Sequence, residues 1–452
     1  MLEFTPDQQH TLLEFKRFDE SSQKFPLMLI KGYAGTGKTT LVAWLVDLFK
    51  NEKRKFKLLA PTGRAAKVLA NYTGESAFTI HKQIYFHNED LSGVKVTLAK
   101  NLHTGTTFFV DESSMISTQT DEEGRCLLRD LLNYVYTGKN CRMVLIGDDG
   151  QLPPVGQQES YALSDEYLNL SYPQLTIFSS QLERIVRQDI TSSIIKNATL
   201  IRNSIDANNQ LFSILDHQTR VVNSMEFQEE LDAAISIYGI DEVKVLSISN
   251  KRVLSLNEGI RNRLLYKEEL LEKDDRLMVN KNNYYWLKND KDIAFIANGE
   301  ILEIQKVNRI ESRYGFLFGH VRISFLEFPE KEKIDVVLIL DLLSSNQLQL
   351  DKAQYKQLFT ELEMEYSHIK SKSKRHEKVF ENPYWNSLQV KYAYAITTHK
   401  AQGGQWKIIF IDLIGRSPNM VDQAYLKWLY TSVTRATESV FLVNCPEKFL
   451  QP

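Results

Sequence analysis

Cysteine is scarce. The 452 residues carry three, Cys126, Cys141 and Cys445, with no CxxC pair among them. That spacing argues against a disulfide scaffold or a clustered zinc site and suits a reducing compartment. No apolar run approaches the ~18 residues that a membrane helix needs. The start, MLEFTPDQQH, lacks a basic stretch followed by an apolar one. No secretory leader is therefore expected, and a cytoplasmic location is. Charge of one sign is not in excess, since the formal net charge is −2. This neither supports nor excludes a nucleic-acid partner, because a local basic groove can sit on a neutral protein. Repeats of fixed period and low-complexity tracts are also missing. What remains is ordinary globular composition, 43% hydrophobic and 25% charged, in a chain long enough for two to four domains.

Short apolar runs bounded by Gly, Pro or Asp recur through the first half: Leu27–Ile30, Lys57–Ala60, Thr107–Val110 and Met143–Ile146. Continuous apolar strands separated by amphipathic stretches predict a parallel sheet covered on both faces. The pattern returns at Val243–Ile248, Lys407–Leu413 and Val440–Val443, with helical stretches at Leu254–Leu265 and Met420–Val433. Between them the texture changes. Ile301–Val307, Tyr314–Val321 and Lys333–Ile339 alternate apolar and polar residues, as strands of a small antiparallel barrel do. The charged segment Ser344–Glu381 follows, and its His368–Lys378 run is expected as a solvated helix face or loop.

Three elements carry chemistry. Gly32-Tyr33-Ala34-Gly35-Thr36-Gly37-Lys38-Thr39 fits G-x-x-x-x-G-K-[ST] between an apolar strand and the amphipathic stretch Leu41–Phe49. Its backbone amides, with Thr40 behind them, can cradle phosphates at a helix N-terminus. Lys38 would reach the β- and γ-phosphates of ATP, and the Thr39 hydroxyl would hold Mg²⁺. A second strand ends in Asp111-Glu112. Asp111 can join the Mg²⁺ shell, and Glu112 can orient or deprotonate the attacking water. A third ends in Gly147-Asp148-Asp149-Gly150-Gln151-Leu152-Pro153-Pro154, a rigid loop whose Gln151 can sense the γ-phosphate. Together these predict a nucleotide hydrolase without saying what its energy drives.

Further runs carry a resemblance. In chain order they are Thr5-Pro-Asp-Gln8, Ala60-Pro-Thr-Gly-Arg-Ala-Ala-Lys67, Thr79-Ile-His81-Lys82, Leu182-Glu-Arg-Ile-Val-Arg187-Gln188, Thr397-Thr-His399-Lys400-Ala-Gln402-Gly403 and Tyr430-Thr-Ser-Val-Thr434-Arg435-Ala436. With the three elements above, they resemble the ordered motifs of superfamily 1B DNA helicases, the RecD/Dda-like branch, over nearly the whole chain. The resemblance implies an α/β fold of two RecA-like P-loop motor domains. The first would take residues 1–81 and 107–181, with a hairpin insert at 82–106. The second would take 182–300 and 391–452, with an SH3-like barrel insert at 301–390.

The resemblance also implies roles. Gln8 would read adenine, and Gln402 and Gly403 would touch nucleotide. Arg187 and Arg435 would reach the γ-phosphate from the second domain. Pro61, Thr62, Arg64, His81, Pro153, Asn250, Thr398, His399 and Lys400 would hold a DNA strand. Tyr85 and Phe86 would stack on bases at the hairpin, whose tip is placed at Asp90–Gly93, or pack in the core. The implied activity is ATP-dependent 5′ to 3′ movement with duplex unwinding, by a monomer. Single-stranded DNA and junctions are the implied track, with a single-strand-binding protein or replication proteins as candidate partners in replication, recombination or repair. A translocase that strips bound proteins fits the same motifs. A P-loop switch or small-molecule kinase has no need of the second domain's arginines, and a silent scaffold has no need of intact Lys38, Asp111 and Glu112.

Overall fold

Apolar runs with no polar face are stable only where both faces are covered, and this chain meets that condition twice. A computed structural model describes residues 4–90, 93–121, 124–186, 192–204, 215–288, 295–326, 328, 330–414 and 421–450. It divides into two units. One holds Met1–Ile84, Leu98–Ile248 and Thr397–Pro452, the other Tyr85–Thr97 and Ser249–Ile396.

The first unit contains two parallel sheets. In spatial order, the strands of one are Ala77–Thr79, Lys55–Ala60, Thr106–Val110, Arg142–Gly147, Pro26–Gly32 and Thr176–Leu182. Phosphate-loop, Asp111 and Gln151 segments all leave this sheet at the same end, because parallel strands end together. The second, five-stranded sheet includes, side by side, Val243–Ser247, Trp406–Asp412, Ala436–Val443 and Thr219–Val222. Helices Pro6–Glu20 and Lys38–Asn51 supply Phe15, Phe18 and Phe49 to a core shared with Phe109. Phe49 meets Phe109 edge-on, with ring centroids 5.4 Å apart and planes at 79°. Truncating Phe109 to alanine should cost about 3–5 kcal/mol.

The second unit is built on a closed barrel of Arg276–Val279, Ile301–Arg313, Phe316–Phe325, Ile334–Ile339 and Leu388–Tyr392. The barrel thus draws its first strand from before residue 301, where the sequence reading begins it. The charged segment folds as two helices, Lys352–Glu365 and Lys372–Phe380. Leu358, Leu362 and Val379 seat them on Phe316, Phe318 and Ile339 of the barrel. Their charged faces stay in solvent, as the run His368–Lys378 suggested. Tyr85–Asp90 and Gly93–Leu98 pair as a two-stranded hairpin. Two residues of its expected tip, 91 and 92, lie outside the described residues. Among the described residues, no helix is long and apolar enough to cross a membrane.

Candidate nucleotide and nucleic-acid site

The phosphate loop begins where strand Pro26–Gly32 ends, and helix Lys38–Asn51 starts inside it. Gly37 caps that helix in a left-handed conformation, φ 82°, with no side-chain cap. A Cβ there would stand 2.6 Å from Gln8 Nε2, so only glycine fits. Thr36 and Gly32 are buried beneath the loop, with the Thr36 hydroxyl donating to Tyr33 O at 2.8 Å. Lys38 curls back, donating to Gly32 O at 2.5 Å and Tyr33 O at 2.8 Å. These carbonyls hold the ammonium where phosphate oxygens can compete for it. Gln8 is buried at position N3 of helix Pro6–Glu20, in a capping box with Thr5. Its Nε2 reaches Thr36 O at 3.4 Å.

Asp111 and Glu112 end strand Thr106–Val110. Burial, reinforced by the Glu112 carboxylate, pushes the Asp111 pKa from 3.8 up to about 7, against the Glu112 amide it accepts from at 2.8 Å. The backbone of Glu112 itself is left-handed, φ 50°. The loop after Arg142–Gly147 places Gln151 in the same cleft, and its Oε1 has no hydrogen-bond partner among the described residues.

The first sheet of the first unit forms one lobe with its helices, and the second sheet with its helices forms the second lobe. From the second lobe comes Arg435, 4% exposed, at the end of helix Gln423–Val433. Its guanidinium donates to Thr431 O (3.1 Å), Gly404 O (3.3 Å) and Thr434 Oγ1 (3.2 Å). It is at once a helix cap and a cation lining the cleft. Arg187 lies outside the described residues. The segment leading to it is strapped down: Asp7 Oδ2 accepts from Glu183 N and Arg184 N, and Val186 N donates to Gly35 O at 2.8 Å. The Arg184 amide is the main cause holding the Asp7 carboxyl below its usual range. The resulting cleft is about 640 Å³ and is lined by Gln8, Ala34, Gly35, Gly37, Lys38, Thr39, Thr40, Asp111, Glu112, Gln151, Gly403 and Arg435.

The expected strand contacts divide. Pro61, Thr62, Arg64, His81, His399 and Lys400 are partly exposed. Thr62 caps helix Gly63–Thr73, and Arg64 stacks on Trp406 of the second lobe at 4.2 Å. Gly403, φ 74°, lies so close that a Cβ would meet Ala65 Cβ at 3.0 Å. Burial lowers the His399 pKa, which favours the neutral ring. Asn250 is exposed at the start of helix Asn250–Gly259 in the other unit. Three side chains expected at DNA turn inward instead. Thr398 is fully buried because its hydroxyl meets Ser432 Oγ at 2.8 Å. Pro153 is buried because Leu152 is pinned on both sides, to Thr431 and to Gln402. Tyr85 is 8% exposed, whereas Phe86 is 58% exposed. Gln402, expected at nucleotide, is likewise buried, with its amide donating to Leu152 O at 2.6 Å.

Several residues enter the site that sequence reasoning left without a role. Phe4, Tyr72, Gln218 and Gln405 line the cleft. Arg202 stacks on Tyr33 at 4.0 Å. The Tyr430 hydroxyl bonds both Ala34 N and Asp148. The signal for Tyr430 is only that a buried phenol needs a partner.

A phosphate loop on one parallel sheet, faced by an arginine from a second, defines a two-lobed P-loop ATPase of the RecA kind. Residues 19–224 match the family model described as AAA domain, and 392–443 that described as UvrD-like helicase C-terminal domain. An uncharacterized protein of Acanthamoeba polyphaga mimivirus is 24% identical, covering 96% of this chain and 98% of that one. The ATP-dependent DNA helicase dda of Enterobacteria phage T4 is 25% identical, over 65% of this chain and 64% of that one. The fold matches the crystal structure of Pif1 helicase from Bacteroides in complex with ADP-AlF3 and ssDNA, with TM-score 0.52 and 16% identity over 100% of this chain and 95% of that one. The chain is thus similar to DNA helicases, in sequence to dda and over 392–443 to the UvrD-like C-terminal domain, and in fold to the Pif1 structure.

Proposed function

We propose that the chain is an ATP-driven DNA motor that moves 5′ to 3′ on single-stranded DNA and opens the duplex ahead of it. One observation carries the reading: Lys38 and Arg435, from the two lobes of the first unit, line a single cleft. ATP phosphates on the Gly32–Thr39 amides would draw Lys38 off its carbonyls. Glu112 would take a proton from the attacking water, with Gln151 Oε1 orienting that water. Arg435 would offset charge on the transferring phosphoryl group. Such a site is complete only with both lobes in place, so binding and hydrolysis would alternately close and release it.

The Thr39 hydroxyl and Asp111 carboxylate fit Mg²⁺. Both are hard oxygen donors on the same cleft, and burial opposes the Asp111 charge unless a cation offsets it. When bound, the ion would neutralise phosphate charge. Pro61, Thr62, Arg64, His81, His399 and Lys400 would grip the DNA backbone without reading bases. The exposed Phe86 ring on the hairpin favours duplex opening over movement alone.

The test is a pair of tailed duplexes. The 5′-tailed substrate should be opened and the 3′-tailed one should not, and Phe86→Ala should reduce opening while sparing DNA-stimulated hydrolysis. Neither substrate opening, with hydrolysis intact, would leave a translocase. Opening only the 3′-tailed substrate would reverse the direction.

A further inference from the structure

Helix Gln423–Val433 sends two hydroxyls across to the first lobe. Tyr430, 2% exposed, accepts from Ala34 N at 2.8 Å and donates to Asp148 Oδ2 at 2.8 Å. Thr431, one residue on, accepts from Leu152 N at 2.8 Å. Asp148 is fully buried. Its Oδ1 accepts from Gly150 N at 3.0 Å, Gln151 Nε2 approaches Oδ2 at 3.5 Å, and Lys38 Nζ stands 4.0 Å from the same oxygen. A Cβ at Gly150 would press on this arrangement at Asp148 Oδ1, 3.2 Å away, and touch the Tyr430 ring at 3.4 Å. Arg435 Nε is bonded to Thr431 O, on the same turn as the two hydroxyls.

One phenol therefore joins the phosphate loop, the Gln151 loop and the turn that holds Arg435. The geometry points to Tyr430 as a positioning residue for ATP hydrolysis, acting through Asp148 and Ala34 to keep Gln151 and Arg435 in register with the phosphate loop. This rests on the ATPase reading above. Burial, then the Asp148 charge, holds the phenol's pKa well above its usual value, so it is a donor at every working pH. Lys38 is the cation nearest the Asp148 carboxylate that the site itself would move. Once phosphates engage Lys38, the hydrogen bond from Tyr430 becomes the main support of Asp148 Oδ2. Without it, the buried Asp148 Oδ2 keeps only the 3.5 Å approach of Gln151 Nε2 and the half-buried Ala34 amide loses its acceptor, which such groups tolerate poorly. The loop would then shift to find partners, taking Gln151 with it.

Tyr430→Phe keeps the ring and removes the hydroxyl. Steady-state hydrolysis at saturating single-stranded DNA should show kcat reduced roughly 10- to 100-fold, with the KM for ATP within about threefold of wild type. Asp148→Asn should show the same split. The double variant should lose no more than the worse single one, because both act on one link. Thermal melting checks that Tyr430→Phe is folded; if it is not, Asp148→Asn reads the link from its other end. A kcat within threefold of wild type in the folded variant, or losses that multiply in the double variant, would overturn the inference. Wild-type protein without DNA-stimulated hydrolysis would instead overturn the motor reading on which it rests.

Discussion

Arg435 caps a helix and lines the cleft, and replacing it separates, by magnitude, a capping role from the catalytic role proposed for it. As a cap it makes three hydrogen bonds to neutral oxygens at 3.1, 3.3 and 3.2 Å, from a side chain 4% exposed. Losing such bonds, with some packing, costs about 1–3 kcal/mol of stability. Against a typical total of about 5–15 kcal/mol, that leaves the protein folded at 25 °C. As a catalytic cation, an arginine facing the transferring phosphoryl group accounts for roughly 10³–10⁵ in kcat, at least about 4 kcal/mol of barrier. Arg435→Ala should therefore lower the DNA-stimulated kcat by about 10³ or more at 25 °C. Its affinity for ADP, which lacks the γ-phosphate, should stay within a few-fold. Arg435→Lys keeps the charge but loses the planar fork, and should fall between. The paired assays are steady-state hydrolysis and ADP binding by calorimetry. If Arg435→Ala melts earlier yet keeps kcat within tenfold, the residue is a cap and the catalytic assignment fails.

Other consequences follow from the same geometry. With its pKa at about 7, Asp111 is protonated below that pH and a poor metal ligand, and ionised above it. The Mg²⁺ concentration for half-maximal hydrolysis should thus fall, by up to about tenfold per pH unit, from pH 6 to 7 and then level off. The Asp111→Asn variant should lose this dependence, and a flat wild-type profile would contradict it. Gly37→Ala pushes a methyl to 2.6 Å from Gln8 Nε2 at φ 82° and should weaken nucleotide binding more than tenfold, read by fluorescent-nucleotide titration. Lys400→Ala should reduce the salt slope of single-stranded DNA binding by about 0.7, while His399→Ala should leave it unchanged above pH 7, because burial keeps that ring neutral. Equal slopes for Lys400→Ala and wild type would remove Lys400 from the phosphate contacts.

The central strands of both parallel sheets are legible because burial on two faces leaves a continuous apolar run, as in Met143–Ile146. Edge strands have only part of that signature. Thr176–Leu182 reads TIFSSQL, and its serine pair hides the strand that flanks Pro26–Gly32. Arg276–Val279 is four residues long, too short to show alternation, so the barrel's start is missed. Helix Lys352–Glu365 was visible in principle: Tyr355, Leu358, Phe359 and Leu362 make an i, i+3, i+4, i+7 stripe under the charge. At the site, linear motifs such as Gly32–Thr39 declare themselves because consecutive backbone amides do the work. Pairings between lobes do not. Tyr430 meets Asp148 across 282 residues, and Arg64 meets Trp406 without any shared local pattern. For the same reason the inward turn of Thr398 depends on Ser432, which no local reading supplies.

The most direct test is steady-state ATP hydrolysis with and without single-stranded DNA, alongside Lys38→Ala. The account predicts strong stimulation by DNA in the wild type and loss of turnover in the variant, because Lys38 is held at the phosphate loop where it can follow the phosphates. Hydrolysis indifferent to DNA, or surviving without Lys38, would contradict it.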